Sequence, residues 1–140
     1  MAITRKAFLK KSGLLAAAGC CGGMMVLLPG CAGFKTIDGT LEAGKLAIPK
    51  SSWEEGKALV IKNNKLPAPV YLSGNGKAFT AVLMLCTHKN CELFVSGDVL
   101  ECPCHGSEFS ISGEVLSPPA REDLQSLPVT TDDTHIYINI

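Results

Sequence analysis

At 140 residues the chain is long enough for one domain and an end segment, and its 13 basic and 13 acidic side chains cancel. The cancellation is uneven. Four bases, Arg5, Lys6, Lys10 and Lys11, and no acid fall in residues 1–34, so residues 35–140 carry nine bases against 13 acids, a net of −4. A body this acidic lacks the electrostatic footprint of a nucleic-acid binder, and the basic end is a separate object.

That end reads as a targeting segment. TRKAFLKK is short and basic, and GLLAAAGCCGGMMVLLP after it is apolar and uncharged. These are an n-region and an h-region, with the positive end expected to stay in the cytoplasm. TRKAFLK resembles the twin-arginine export signal, with Lys6 in place of the second arginine. LPGC, Leu28 to Cys31, resembles a bacterial lipobox, whose cysteine is acylated; the proline before the glycine is a departure. Ser12 to Pro29 is 18 residues long, near the lower limit for spanning a bilayer, so a retained anchor is the alternative to a lipid at Cys31. The bland alternative is a cleaved signal. The expectation is attachment at the periplasmic or other extracytoplasmic face of a bacterial inner membrane. Cys20, Cys21 and Cys31 belong to this segment and are set apart from the site chemistry.

Residues 35–44 are polar and glycine-bearing and read as a tether. From there on the pattern is β. Leu46–Ile48, Ala58–Lys62, Pro69–Ser73 and Phe79–Leu85 are short apolar runs, parted by NNK and GNGK and followed by SGD and SGE. Asn75–Lys77 is a hairpin signal. THIYINI sets His135, Tyr137 and Asn139 against Ile136, Ile138 and Ile140, the alternation of a half-buried strand. The weak helical candidate, Ser51–Gly56, is too short to matter. Many short strands predict an all-β domain over residues 45–140, a small antiparallel sandwich or barrel. A core from about a hundred residues is marginal, and a metal cluster or a disulfide would help it.

CTHKNC (Cys86–Cys91) and CPCHGS (Cys102–Ser107) place four cysteines and two histidines within twenty residues. Cys86-x-His88 follows the apolar strand Phe79–Leu85, and Cys102-x-x-His105 follows Val99–Glu101. Two such strand-end loops can face each other across one metal site. Six donors exceed the four a tetrahedral site needs. Cys91 and Cys104, one from each loop, need not be ligands; loops that meet would bring them close, and an oxidising compartment would let them form a disulfide. A closed Cys₂His₂ zinc site is the plainer alternative, but it leaves two cysteines without a task. A further alternative has every cysteine in disulfides with the histidines as bystanders.

The same residues form a family signature. C-x-H-x-x-C and C-P-C-H-G-S resemble the two boxes of Rieske iron–sulfur proteins, with similarity running from Phe79 to Pro128. SPPAREDLQSLPV resembles the family's proline-bearing loop and following strand. The resemblance implies a Rieske-type fold with a cluster-binding subdomain at one end and one [2Fe–2S] cluster per chain. It implies Cys86 and Cys102 on one iron, His88 and His105 on the other, and a disulfide between Cys91 and Cys104. Two neutral imidazoles in place of thiolates raise the potential above that of all-cysteine clusters. Ser107 matches a serine whose hydroxyl bonds a cluster sulfide. Phe109 stands where the highest-potential members have tyrosine, which predicts a potential below the mitochondrial type. Pro103 and Gly106 read as loop geometry. Lys89 stands where quinol-oxidising members usually have leucine.

The implied function is electron transfer. One reading is the iron–sulfur subunit of a quinol-oxidising, cytochrome bc-like membrane complex. There His105 would meet the quinol and take its proton, beside a cytochrome b-type subunit and a cytochrome acceptor. The other is the relay subunit of an exported oxidoreductase of the arsenite-oxidase kind. A ferredoxin-type protein serving an oxygenase fits less well, because the extra cysteines and the leader are unusual there. His135 reads as solvent-facing, Trp53 as ordinary packing, and Glu54–Glu55 and the acids of Arg121–Leu124 as solvated.

Overall fold

The computed structural model describes residues 33–140. Residues 1–32 of the targeting segment, with its three cysteines, lie outside the described residues. Thirteen strands run in the order β1 (Lys35–Asp38), β2 (Thr40–Glu42), β3 (Lys45–Pro49), β4 (Leu59–Lys62), β5 (Val70–Gly74), β6 (Phe79–Leu83), β7 (Phe94–Ser96), β8 (Val99–Glu101), β9 (Glu108–Ser110), β10 (Val115–Ser117), β11 (Ser126–Leu127), β12 (Val129–Thr131) and β13 (His135–Asn139). Among the described residues the one helical piece is a single 3₁₀ turn, Lys50–Ser52. Among the described residues no helix is long and apolar enough to cross a membrane.

The strands form three sheets. The central one is ordered β1-β4-β5-β6-β11, a second β12-β13-β3-β2, and a third β10-β9-β8-β7. Leu59, Ile61, Val70, Leu72, Ala81 and Leu83 of the central sheet pack with Leu46, Ile48, Ile136 and Ile138 of the second. The residues between them in sequence, Val60, Tyr71 and Val82, point the other way and pack with Leu93, Leu100 and Phe109 of the third sheet's layer. β4, β5 and β6 are thus buried on both faces, which is why LVI, VYL and AVL read as unbroken apolar runs. β3 and β13 cover one face only and alternate: Ile136 and Ile138 are buried while His135, Tyr137 and Asn139 are part-exposed. Ile140, the third isoleucine of that expected alternation, lies past the β13–β3 pairing and is exposed.

One expectation is corrected. Residues 35–44 are not a free tether over most of their length. β1 pairs with β4, Lys35 through Asp38 against Leu59 through Lys62, and β2 pairs with β3. Asn63 secures the join by donating from Nδ2 to the Gly39 carbonyl at 2.8 Å. The β1–β4 pair is parallel, so the otherwise antiparallel domain has a parallel edge. The hairpin at Asn75 is present. The Asn75 side-chain oxygen accepts from the backbone N–H groups of Lys77 and Ala78, and Gly76 supplies a φ of 81°.

Candidate metal centre

β6 leads through Met84 and Leu85 into loop Cys86–Cys91, and β8 runs directly into loop Cys102–Ser107. The two loops share one backbone plan. In the first, Cys86 N–H donates to the Cys91 carbonyl and Asn90 N–H to the Cys86 carbonyl, both at 2.8 Å. In the second, Cys102 N–H donates to the Ser107 carbonyl at 2.8 Å and Gly106 N–H to the Cys102 carbonyl at 3.0 Å. Each loop begins on a cysteine and takes a left-handed conformation at its fifth residue, φ 56° at Asn90 and 75° at Gly106. A Cβ at Gly106 would meet no protein atom within 4 Å, so glycine serves the backbone angle there and not a close approach by protein.

The loops are clipped together by a Cys91–Cys104 disulfide, while Cys86 and Cys102 are free and buried. His88 and His105 come edge to face with ring centroids 5.0 Å apart. His88 Nδ1 is buried with no hydrogen-bond partner, whereas the His105 side of the pair is exposed. A buried ring nitrogen without a partner is costly unless something binds it, and imidazole is the side chain that most commonly ligates metals.

The sulfurs of Cys91, Cys102 and Cys104 lie within 4.8 Å of one another, but two of them are joined to each other and have no thiolate to offer. Among the described residues, no three of Cys86, His88, Cys102 and His105 bring their ligand atoms within that same distance. One tetrahedral ion with bonds of about 2.0–2.3 Å needs its donors less than about 4 Å apart. The wider spacing speaks against a closed zinc site and fits a group with two metals, one end met by thiolates and the other by imidazoles.

A third loop closes over these two. Ser107 is wholly buried, and its Oγ accepts from Ala120 N–H at 3.0 Å, which leaves the hydroxyl proton free to donate. Thr87 Oγ1 donates to the Glu122 carbonyl at 2.7 Å. The Pro118–Pro119 peptide in this loop is cis. Both anchors join residues 13 or more apart, and nothing in the local sequence announced them. Phe109 is fully buried beneath the site in the layer of Leu100 and Met84. His135 lies in the second sheet, stacked on Tyr137 with its Nδ1 2.8 Å from Thr134 Oγ1, and takes no part in the site.

A β domain with two clipped loops that present two free thiols and two imidazoles at one end is a small iron–sulfur electron-transfer protein. The chain belongs to the Rieske [2Fe-2S] domain family, whose model matches residues 44–128. It is similar to the cytochrome b6-f complex iron-sulfur subunit of Chlorobaculum thiosulfatiphilum, 30% identical over 115 residues, covering 81% of this chain and 60% of that one. The corresponding subunit of Chlorobaculum tepidum is 32% identical over 73 residues, covering 51% of this chain and 40% of that one. The chain therefore spans about half the length of these relatives. The 3-phenylpropionate/cinnamic acid dioxygenase ferredoxin subunit of Shigella boydii is 30% identical over 99 residues, covering 67% and 91%. Among solved structures, a complex of reduced oxygenase and oxidised ferredoxin in carbazole 1,9a-dioxygenase matches with a TM-score of 0.52 at 25% identity, covering 70% of this chain and 94% of that one. The domain binds a [2Fe–2S] cluster and transfers electrons.

Proposed function

We propose that this protein is the iron–sulfur subunit of a quinol-oxidising, cytochrome bc-like membrane complex at the extracytoplasmic face of a bacterial inner membrane. The N-terminal segment or a lipid at Cys31 would hold it there, beside a cytochrome b-type subunit and a cytochrome acceptor. The Cys91–Cys104 disulfide carries the reading, because such a bond persists in oxidising compartments and is rare in the cytosol. The relatives named as cytochrome b6-f subunits support it.

In this reading Cys86 and Cys102 hold one iron and His88 and His105 the other. When bound, the cluster supplies a one-electron couple. The chain's residues do the rest. Burial of Cys86 and Cys102 keeps water from the thiolate end. The orphaned His88 Nδ1 gains its partner. His105, which is exposed, would meet a quinol hydroxyl and accept its proton, and Ser107 would offer its hydroxyl proton to the cluster.

A second reading, a relay subunit of an exported oxidoreductase, is favoured by exposed Lys89 beside His88, a charge poorly suited to an apolar quinol pocket. The test is a redox titration of the full chain made in an oxidising compartment, followed by electron paramagnetic resonance at several pH values. A potential above about 0 mV, within the Rieske range of about −150 to +300 mV, and falling at alkaline pH is expected. A low potential that ignores pH overturns the quinol reading. Co-purification of a cytochrome b or of a molybdenum enzyme separates the two partners.

A further inference from the structure

We propose that the domain rests on a lipid surface through an apolar face centred on Phe34, with Phe94 to one side of it and Ile111 to the other. The proposal rests on the membrane attachment read above and names the face that meets the lipid.

Five large apolar side chains stand exposed among the described residues, and three of them, Phe34, Phe94 and Ile111, gather on one face. Two hollows join them. Phe34 and Ile111 line one of about 330 Å³, Phe34 and Phe94 line another of about 140 Å³, and Val95 of β7 is common to both. β7 is an edge strand of the third sheet, with no further strand paired beyond it among the described residues. Exposed apolar side chains gathered in this way mark a contact surface. The charges that line the two hollows cancel, Lys57 and Lys62 against Asp98 and Glu92. Tyr71, 5% exposed, lines the larger hollow. Its hydroxyl has no partner among the described residues and is not sealed off as His88 Nδ1 is, so it offers a donor to a headgroup oxygen there.

The course of the chain points to lipid as the occupant. Residues 1–32 lead directly into Gly33 and Phe34, both of which line the larger hollow. The domain leaves little slack after them. Lys35 N–H donates to the Ala58 carbonyl at 3.0 Å, all of β1 pairs with β4, and Ile37 packs against the core. Cys31 stands three residues before Phe34 and Pro29 five, spans of at most about 11 and 18 Å. A lipid at Cys31, or an anchor ending at Pro29, therefore holds this face within that reach of the bilayer. At so short a range a small apolar face meets lipid at high effective concentration, so a modest area is enough to keep it down. With its lining charges balanced, the face needs no anionic lipid. Neither hollow is lined by a residue of loops Cys86–Cys91 or Cys102–Ser107, so contact here leaves the histidines open to a redox partner.

The test uses the full-length holoprotein in phosphatidylcholine, floated as vesicles and then layered on a flat support for electron paramagnetic resonance of the reduced cluster. A docked domain holds its cluster at one angle to the bilayer, so the intensities of the spectral lines should change as the layers are turned in the field. Phe34→Ser/Phe94→Ser/Ile111→Ser should lose that dependence on angle and keep its line positions, which report an intact cluster. Phe34→Leu/Phe94→Leu, which stays apolar, should retain it. A protein that floats with the vesicles but gives a spectrum independent of angle, or a serine variant ordered as well as the unaltered protein, overturns the docking and leaves the attachment standing. A chain that does not float with the vesicles overturns both. Dimers in solution that the serine substitutions dissolve, with no ordering on lipid, assign the face to a second copy of the chain and overturn the proposal.

Discussion

Asn90 and Gly106 occupy equivalent positions in two loops that share no sequence beyond their cysteines. Each is the fifth residue of its loop, each has a positive φ, and each donates its N–H to the carbonyl of the opening cysteine. The left-handed region costs most L-residues roughly 1–2 kcal/mol, with asparagine and glycine the usual exceptions. Asn90→Gly should therefore leave stability within about 0.5 kcal/mol, whereas Asn90→Val and Gly106→Val should each lose about 1–2 kcal/mol. Denaturant unfolding of the holoprotein reads all three. A tolerated Gly106→Val would mean that the loop is not held in this conformation in solution.

Ser107 ties the second loop to the third. Ser107→Ala removes the acceptor of Ala120 N–H in a fully buried place, leaving a donor unsatisfied at a cost of about 1–3 kcal/mol. It also removes the one hydroxyl on offer to the cluster, so the potential should fall while the paramagnetic signal keeps its shape. Equal potentials in the two proteins would assign Ser107 to loop closure alone.

The Cys91–Cys104 bridge joins positions 13 residues apart. A loop of this size restricts the unfolded chain by about 3 kcal/mol in the entropic account. Cys91→Ser/Cys104→Ser should lose about 2–4 kcal/mol and release its cluster faster, seen as bleaching of visible absorbance on warming. Bleaching at the unaltered rate would show that the loops hold the cluster without their clip.

Far from the site, Asp132 caps the β12–β13 turn. Its carboxylate accepts from the N–H groups of Thr134 and His135 and from the Tyr137 hydroxyl. Those bonds, the backbone ones first, hold its pKa well below the usual carboxylate range. A depressed folded pKa contributes stability above the unfolded value of about 3.9 and loses it as pH falls toward the folded one. The difference in thermal midpoint between the unaltered protein and Asp132→Ala should be constant above about pH 5 and shrink below about pH 4. A difference that does not change with pH would mean the turn is held by its backbone alone.

Much of the architecture was legible where patterns are long. β3, β4, β5, β6 and β13 lie on runs that read as strands, because burial of one or both faces leaves a mark over four or more residues, and three-residue β8 was legible from the SGD turn before it and the CPCHGS loop after it. β1 and β2 were hidden in a polar stretch; they are edge strands, and edges need little apolar content. β7 and β9 to β12 are two or three residues long, too short for any period to show. The ligand-type residues stood out because cysteine and histidine at these spacings are uncommon. The left-handed turn shared by Asn90 and Gly106 did not, since two different residues meet one backbone demand.

By itself the sequence determined the donors, their order along the chain and the apolar runs that end beside them, because these are local properties of residue type and spacing. Only the tertiary structure decided that the loops face each other, that Cys91 meets Cys104 while Cys86 and Cys102 stay free, and that Ala120 reaches back to Ser107. Each of these joins parts of the chain brought together when the central sheet buries both faces at once, and such closure depends on the packing of whole layers and not on any stretch of residues alone.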